Sequence, residues 1–262
     1  MPIADLGDVA LKYETVGPAD GAPVVFAAAL GTDLRIWAPV LPLLPAGLRL
    51  IRYDMRGHGG SSVPEGPYSM GALVRDTEAL LDHLGVTDAA FVGLGLGGMV
   101  AQGLAVKRLD LIRALVLVNT AAKLGTKDIW ARRIARVQSQ GLEAIADETL
   151  DRWFAKGARA TPAADACRTM LTEQPCAGYL GCAAAIAGTD FYTPTSGLRL
   201  PTLGIAGTAD GITPPDLTRE TVDLIPGSQM RLIRGAGHLP PVDRPEDFAT
   251  ALTGFLAATG HG

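Results

Sequence analysis

The chain has 262 residues, 48% of them hydrophobic and 19% charged, with a net charge of −4 and a pI near 5.6. That length and apolar content suffice for one large core, and α/β folds often reach this size as a single domain. The mild acidity and the lack of a Lys/Arg-rich block argue against nucleic acid as a partner. The apolar runs stop short of a membrane span, and the opening MPIADLGDV has no basic segment followed by an apolar one, so a cytoplasmic protein without membrane association is expected.

In chain order, β-type runs are expected at 9–16 (VALKYETV), 23–30 (PVVFAAAL), 48–55 (LRLIRYDM), 88–95 (DAAFVGLG), 113–120 (RALVLVNT), 201–208 (PTLGIAGT) and 229–236 (QMRLIRGA). Between them lie stretches of helical spacing such as SMGALVRDTEALLDHLG (69–85), which ends on a glycine C-cap. Buried apolar strands separated by helices imply an α/β fold with a mostly parallel sheet covered on both faces. The alternation breaks between about Lys123 and Gly188, where IWARRIARVQSQGLEAIADETLDRWF reads as consecutive amphipathic helices. The expected organisation is a core of residues 1–122 and 189–262 with a helical lid at 123–188. Cys167, Cys176 and Cys182 are spaced C-x8-C-x5-C with no nearby histidine; they fit no zinc pattern or disulfide framework and are read as buried thiols, so no metal is expected.

The stretch FVGLGLGGMVAQGL (91–104) supports two readings. Gly93, Gly95 and Gly98 form G-x-G-x-x-G, the dinucleotide-binding turn. With Gly95 in place of serine, the same residues form G-x-S-x-G, a nucleophile elbow. The dinucleotide reading requires an acidic residue at the end of the next strand, which instead closes Leu117-Val118-Asn119-Thr120, and the motif is not in the first strand unit. No nucleotide cofactor is therefore expected. The elbow reading has support downstream: Asp210 follows the strand at 201–208 and His238 follows the strand at 229–236. Nucleophile, acid and histidine in that order, each just past a strand's carboxyl end, is the arrangement of an α/β-hydrolase. A surface-loop aspartate and a capping histidine would explain either residue alone, but not both in register with the elbow.

The segments FAAALGTDLRIW, IRYDMRGHGGSS, PYSMGALVRDTEALLDHLG, NTAAKLGT and DGITPPDLTRETVDLIPGSQMRLIRGAGHLPPVDRPEDF, together with the elbow, resemble the 3-oxoadipate enol-lactonases, bacterial α/β-hydrolases of aromatic catabolism. The resemblance spans nearly the whole chain and is looser in the lid. It implies a nucleophile position at Gly95, an acid at Asp210 and a base at His238, with the backbone N–H groups of Leu30 and Leu96 as the oxyanion hole. It also implies a small-molecule substrate, a lactone derived from a dicarboxylate. Arg132 and Arg133 are then candidate anion-binding cations, with a solvated helix face as the plain alternative for each, and Trp37, Trp130 and Trp153 are candidate apolar walls. His58 reads as a structural loop residue. Several positions depart from the family pattern: Ala28-Ala29 where Asn-Ser is expected, Gly95 where serine is expected, Val118 where serine is usual, and Gly60 where a larger residue is familiar. The first three are expected to face one pocket, and each removes a hydroxyl or an amide, as in a site altered as a unit.

Without Oγ the acyl-enzyme route is closed. The sequence leaves three functions open: an enol-lactonase-type hydrolase with impaired turnover; a repurposed enzyme that uses the His238–Asp210 dyad as general base on water or a carbon acid; and a binding protein without catalysis.

Overall fold

The computed structural model describes residues 2–261; the terminal Met1 and Gly262, at the outer limits of the expected core segments, lie outside the described residues. Eight strands form one sheet: β1 (Ile3–Asp5), β2 (Ala10–Val16), β3 (Ala22–Ala27), β4 (Leu48–Tyr53), β5 (Ala89–Leu94), β6 (Ile112–Val118), β7 (Thr202–Gly207) and β8 (Gln229–Ile233). Their order is β1-β2-β4-β3-β5-β6-β7-β8. β2 runs antiparallel to β1 and β4, and the strands from β4 to β8 are mutually parallel. Position in the sheet follows from sequence: β5 (AAFVGL) and β7 (TLGIAG) are apolar and buried throughout, as central strands covered on both faces must be, whereas the edge strand β8 is largely exposed.

The three-residue β1 has no sequence counterpart in the expected runs; it forms because β2 offers it an edge, pairing Ile3 with Lys12 and Asp5 with Ala10. The run expected at 23–30 leaves the sheet at Ala27, so Ala28–Leu30 belong to the loop beyond. Likewise Asn119 and Thr120 lie past the end of β6.

Alternate residues of the strands feed two cores. Val25, Ala27 and Phe91 pack with α1 (Met70–His83), α2 (Leu96–Lys107) and, through Val222, α8 (Pro215–Asp223). Val24, Phe26 and Val92 pack instead with Trp37 and with Phe248 and Leu252 of α10 (Pro245–Ala258), which follows the short α9 (Pro240–Asp243). Between β6 and β7 the chain forms α3 (Lys127–Gln140), α4 (Glu143–Trp153), α5 (Pro162–Thr172), α6 (Cys176–Ala187) and α7 (Tyr192–Ser196), with no strand. Thr126 and Thr161 cap α3 and α5, their hydroxyls accepting from the amides of Ile129 and Ala164.

Two close approaches fix the region around the β5–α2 turn. A Cβ on Gly97 would lie 2.2 Å from the carbonyl oxygen of Ala27, and one on Gly93 would lie 2.3 Å from that of Gly97. The first turn of α2 can therefore sit against β3 only because both positions are glycine. The loop after β3 is held by His58, whose buried Nε2 accepts a hydrogen bond from the Gly31 amide (3.1 Å). Accepting through Nε2 requires the neutral ring, and burial pushes its pKa down from 6.5 to about 4.

Two outcomes are expected. Gly97→Ala forces backbone apart and should lower stability by about 1–3 kcal/mol in chemical denaturation. His58 is neutral when folded and protonated below pH 6.5 when unfolded, so its contribution is complete above pH 6.5 and is lost as pH falls toward 4. The slope reaches at most about 1.4 kcal/mol per pH unit. Denaturation curves between pH 4 and 7 should show this slope, and His58→Gln, whose amide oxygen can still accept from Gly31, should flatten it.

Candidate active site

One residue separates β5 from α2. That residue, Gly95, has φ 53° and ψ −113°, a conformation that glycine adopts freely and other residues only under strain. Its N–H donates to the Val118 carbonyl (3.0 Å), and its own carbonyl accepts from the Thr120 hydroxyl (2.7 Å) and from the Gly98 amide (3.0 Å). The turn is thus fixed through backbone atoms on both sides.

Past β7, the Asp210 carboxylate accepts from the amides of Ile212 (2.7 Å) and Thr213 (3.0 Å) through Oδ1, and from Nδ1–H of His238 (2.9 Å) through Oδ2. Both side chains are buried. With the Nδ1 proton held by the carboxylate, Nε2 is left as the basic nitrogen. It faces the turn: a Cβ built on Gly95 would lie 3.3 Å from Nε2 and 3.3 Å from the Ala29 methyl. His238 is also anchored through its backbone, its N–H donating to the Trp153 carbonyl (2.7 Å) and its carbonyl accepting from Asn119 Nδ2 (2.9 Å). The neighbouring Asp243 accepts from the Gly237 amide (2.6 Å), and burial pushes its pKa up to about 6.

These groups open into a cavity of about 80 Å³ whose floor is Leu30, Gly95, Leu96 and His238. The amides of Leu30 and Leu96 find no acceptor among the described residues. The roof comes from the helices between β6 and β7: Trp130 and Arg133 of α3, Thr149, Arg152 and Trp153 of α4, and Tyr179 and Ile186 of α6. Arg133 donates to the Tyr179 hydroxyl (2.7 Å) and the Thr149 hydroxyl (2.8 Å) and lies over the Tyr179 ring, and it pairs with no carboxylate among the described residues. Its charge is therefore held by neutral oxygens beside the cavity.

Gly95, Asp210, His238, Leu30, Leu96, Trp130, Arg133 and Trp153 all meet at this one place. Three other candidates do not line it. Trp37 is fully buried in the core, its ring 5.0 Å from Phe26 and 6.0 Å from Phe248, because the turn that carries it packs beneath α10. Val118 is the last residue of β6 and points into the same core. Arg132, one residue from Arg133, falls on the exposed side of α3. Among the cysteines, Cys167 and Cys182 are buried, but Cys176 is exposed at the start of α6. Sequence reasoning missed Arg152, Thr149 and Tyr179. Arg152 adjoins the flagged Trp153, while the other two carry no local signal. No cluster of three or more His, Cys, Asp or Glu suited to a metal occurs among the described residues, and no helix among them is long and apolar enough to cross a membrane.

Comparison with known proteins agrees with this architecture. Residues 22–245 match the family model described as alpha/beta hydrolase fold. 3-oxoadipate enol-lactonase 2 of Acinetobacter baylyi is 34% identical, with 95% of this chain and 94% of that protein aligned. Among solved structures, the enol-lactonase from Burkholderia xenovorans LB400 superposes with a TM-score of 0.94 at 32% identity, covering 98% of this chain and all of that one. A thermophilic esterase from Thermogutta terrifontis, solved with malate bound, superposes with a TM-score of 0.89 at 31% identity, covering 96% and 94%. The chain belongs to the α/β-hydrolase fold family and, within it, resembles the 3-oxoadipate enol-lactonases.

Proposed function

We propose that this chain is a carboxylic-ester or lactone hydrolase of the enol-lactonase type in which Gly95 occupies the nucleophile position, so that the acyl-enzyme route is closed. The observation that carries the reading is the approach of His238 Nε2 to within 3.3 Å of the Cβ point of Gly95, with Asp210 bonded to the opposite ring nitrogen. A serine at 95 would place its hydroxyl beside that base. In such a triad the carboxylate sets the tautomer and stabilises the imidazolium, and the amides of Leu30 and Leu96 receive the developing oxyanion.

The substrate is proposed to be a small acyl compound that carries a carboxylate. Arg133, without an acidic partner and with Tyr179 and Thr149 fixing its guanidinium, is the group to receive that charge. Trp130 and Trp153 flank the acyl chain. The relatives agree in kind: one is a 3-oxoadipate enol-lactonase, and an esterase of the same fold was solved with malate bound.

Restoring the hydroxyl is the direct test. Gly95→Ser should raise hydrolysis of p-nitrophenyl acetate on the order of 10³-fold or more, because removing a triad member from a serine hydrolase forfeits at least that much. The same variant should be less stable by about 1–3 kcal/mol, since serine must take up the positive φ. A revertant that folds and shows no added esterase activity would remove the lactonase reading.

Arg133→Ala should weaken binding of a dicarboxylate such as malate by about 10–100-fold, the worth of a charged hydrogen bond, and leave a neutral ester's KM in the Gly95→Ser background nearly unchanged. Equal losses for both ligands would assign Arg133 to holding α3 against α4 and α6 instead.

A further inference from the structure

Hydrolysis through an elbow nucleophile needs a base, two oxyanion donors and a side chain that accepts the acyl group. Only the last is missing at Gly95. We propose that this chain hydrolyses esters and lactones by direct attack of water, with His238 as general base and no acyl-enzyme, and that it is restricted to substrates whose leaving group is an enol or a phenol. The proposal rests on the hydrolase reading above and adds a mechanism and a substrate limit to it.

The distances allow it. The space over the Gly95 Cα is bounded by the Ala29 methyl and by His238 Nε2, each 3.3 Å from the Cβ point. A water oxygen placed slightly farther from Cα than a serine hydroxyl lies within hydrogen-bond reach of Nε2. Nε2, which no other group among the described residues engages, accepts from such a water, and the amides of Leu30 and Leu96 stay free for the carbonyl oxygen of the substrate. The base is oriented whatever stands at position 95, because Asp210, Trp153 and Asn119 hold His238 from the other side.

The step balances as follows. The water oxygen adds to the carbonyl carbon while one of its protons passes to Nε2, and the carbonyl oxygen takes the charge against the two amides. The bond from that carbon to the leaving oxygen then breaks without help from an acid, its electron pair departs on that oxygen as phenolate or enolate, and the freed anion takes the proton from Nε2 only after it has separated. The products are a carboxylic acid and a phenol, or an enol that ketonises. The substrate limit follows from how the tetrahedral adduct divides. A phenolate, with a conjugate-acid pKa of about 10, leaves far more readily than hydroxide. An alkoxide is about as basic as hydroxide, whose conjugate acid water has a pKa of about 15.7. The one acid at hand, the His238 imidazolium, sits on the side of the incoming water, so an alkyl ester adduct returns water and regenerates the ester. An acyl-enzyme avoids this reversal by letting the leaving group diffuse away before water arrives, and that option needs the side chain Gly95 lacks.

The test compares phenyl acetate with ethyl acetate on the unaltered protein and on its His238→Ala, Gly95→Ala and Gly95→Ser variants. The unaltered protein should release phenol without a pre-steady-state burst and yield no acetylated protein by mass spectrometry after acid quenching. His238→Ala should lower that rate about 10²–10⁴-fold, the range for a lost general base. Gly95→Ala should lower it comparably, because its methyl fills the place of the water. It shares the backbone strain of Gly95→Ser, so a folded Ser variant controls for its folding. Ethyl acetate should be slower than phenyl acetate by on the order of 100-fold or more in the unaltered protein, with a smaller gap in Gly95→Ser. A burst in the unaltered protein would mean acyl transfer to the imidazole itself and would overturn the inference. Equal phenyl acetate rates in the unaltered and His238→Ala proteins, with Gly95→Ser active, would also overturn it and leave the hydrolase reading standing. If Gly95→Ser is inert as well, the hydrolase reading falls too.

Discussion

The site depends on three consecutive residues at the carboxyl end of β6. The Val118 carbonyl and the Thr120 hydroxyl hold the N–H and the carbonyl of Gly95. Between them, Asn119 takes a positive φ of 41° and turns its buried amide across the tops of the strands. Its Nδ2 donates to the carbonyls of Gly237 and His238, and its Oδ1 accepts from the amide of Gly207, the last residue of β7 before the Asp210 turn. One side chain thus joins the loop of the base to the strand that delivers the acid. Such a fully satisfied buried amide is stiff, because breaking any one of its bonds leaves a polar group unpaired away from water, which costs about 1–3 kcal/mol. Positive φ at a residue other than glycine costs a comparable amount, and asparagine is among the residues that tolerate it best.

This arrangement explains why a glycine can stand at the elbow without loss of the surrounding geometry. The amides of Leu30 and Leu96 are backbone groups, Asp210 is fixed by the amides of Ile212 and Thr213, and His238 is fixed by the Trp153 carbonyl of α4 and by Asn119. None of these contacts passes through a side chain at position 95. The geometry around the turn is therefore independent of the side chain at position 95, and the turn's own backbone conformation favours glycine.

The same physics governs what could be read from the amino-acid sequence. The site was legible because the strand-type runs that become β5, β7 and β8 stop where the chain turns out of the sheet, and Gly95, Asp210 and His238 follow those stops. The short β1 was not legible, since three residues carry no period and its pairing is decided by the edge that β2 presents. The roof of the cavity was only partly legible. Helical spacing gives an inner face to α3, α4 and α6 but does not say which neighbour each inner residue will meet. Trp37 has the composition of a cavity wall and the location of a core residue, because Phe26 and Phe248 surround it. Thr149 and Tyr179 look unremarkable in sequence and acquire significance only where Arg133 comes to rest between them. The outer lid arginines differ: Arg136 pairs with Glu148, and Arg168 with Glu143 and Asp147, as solvated helix faces ordinarily do.

The helices between β6 and β7 are joined to the Asp210 and His238 loops at one end in particular. The Trp153 carbonyl accepts the His238 N–H, the Arg152 carbonyl accepts the Gly211 N–H (3.0 Å), and Arg152 Nε returns a hydrogen bond to the Gly211 carbonyl (2.7 Å). The approach leaves no slack: a Cβ on Gly237 would lie 2.0 Å from the Trp153 carbonyl oxygen. The carboxyl end of α4 therefore belongs mechanically with Asp210 and His238, and a cover hinged there would disturb the dyad each time it moved. α3 is placed differently. Val137 is its one fully buried residue, and Ile129, which lines the cavity, is about half exposed. A cover that opened by way of α3 would leave α4, and the two loops bonded to it, in place. Opening along that path would carry Arg133 away from Thr149 and Tyr179. A carboxylate bound to Arg133 together with those two hydroxyls would then favour the closed arrangement.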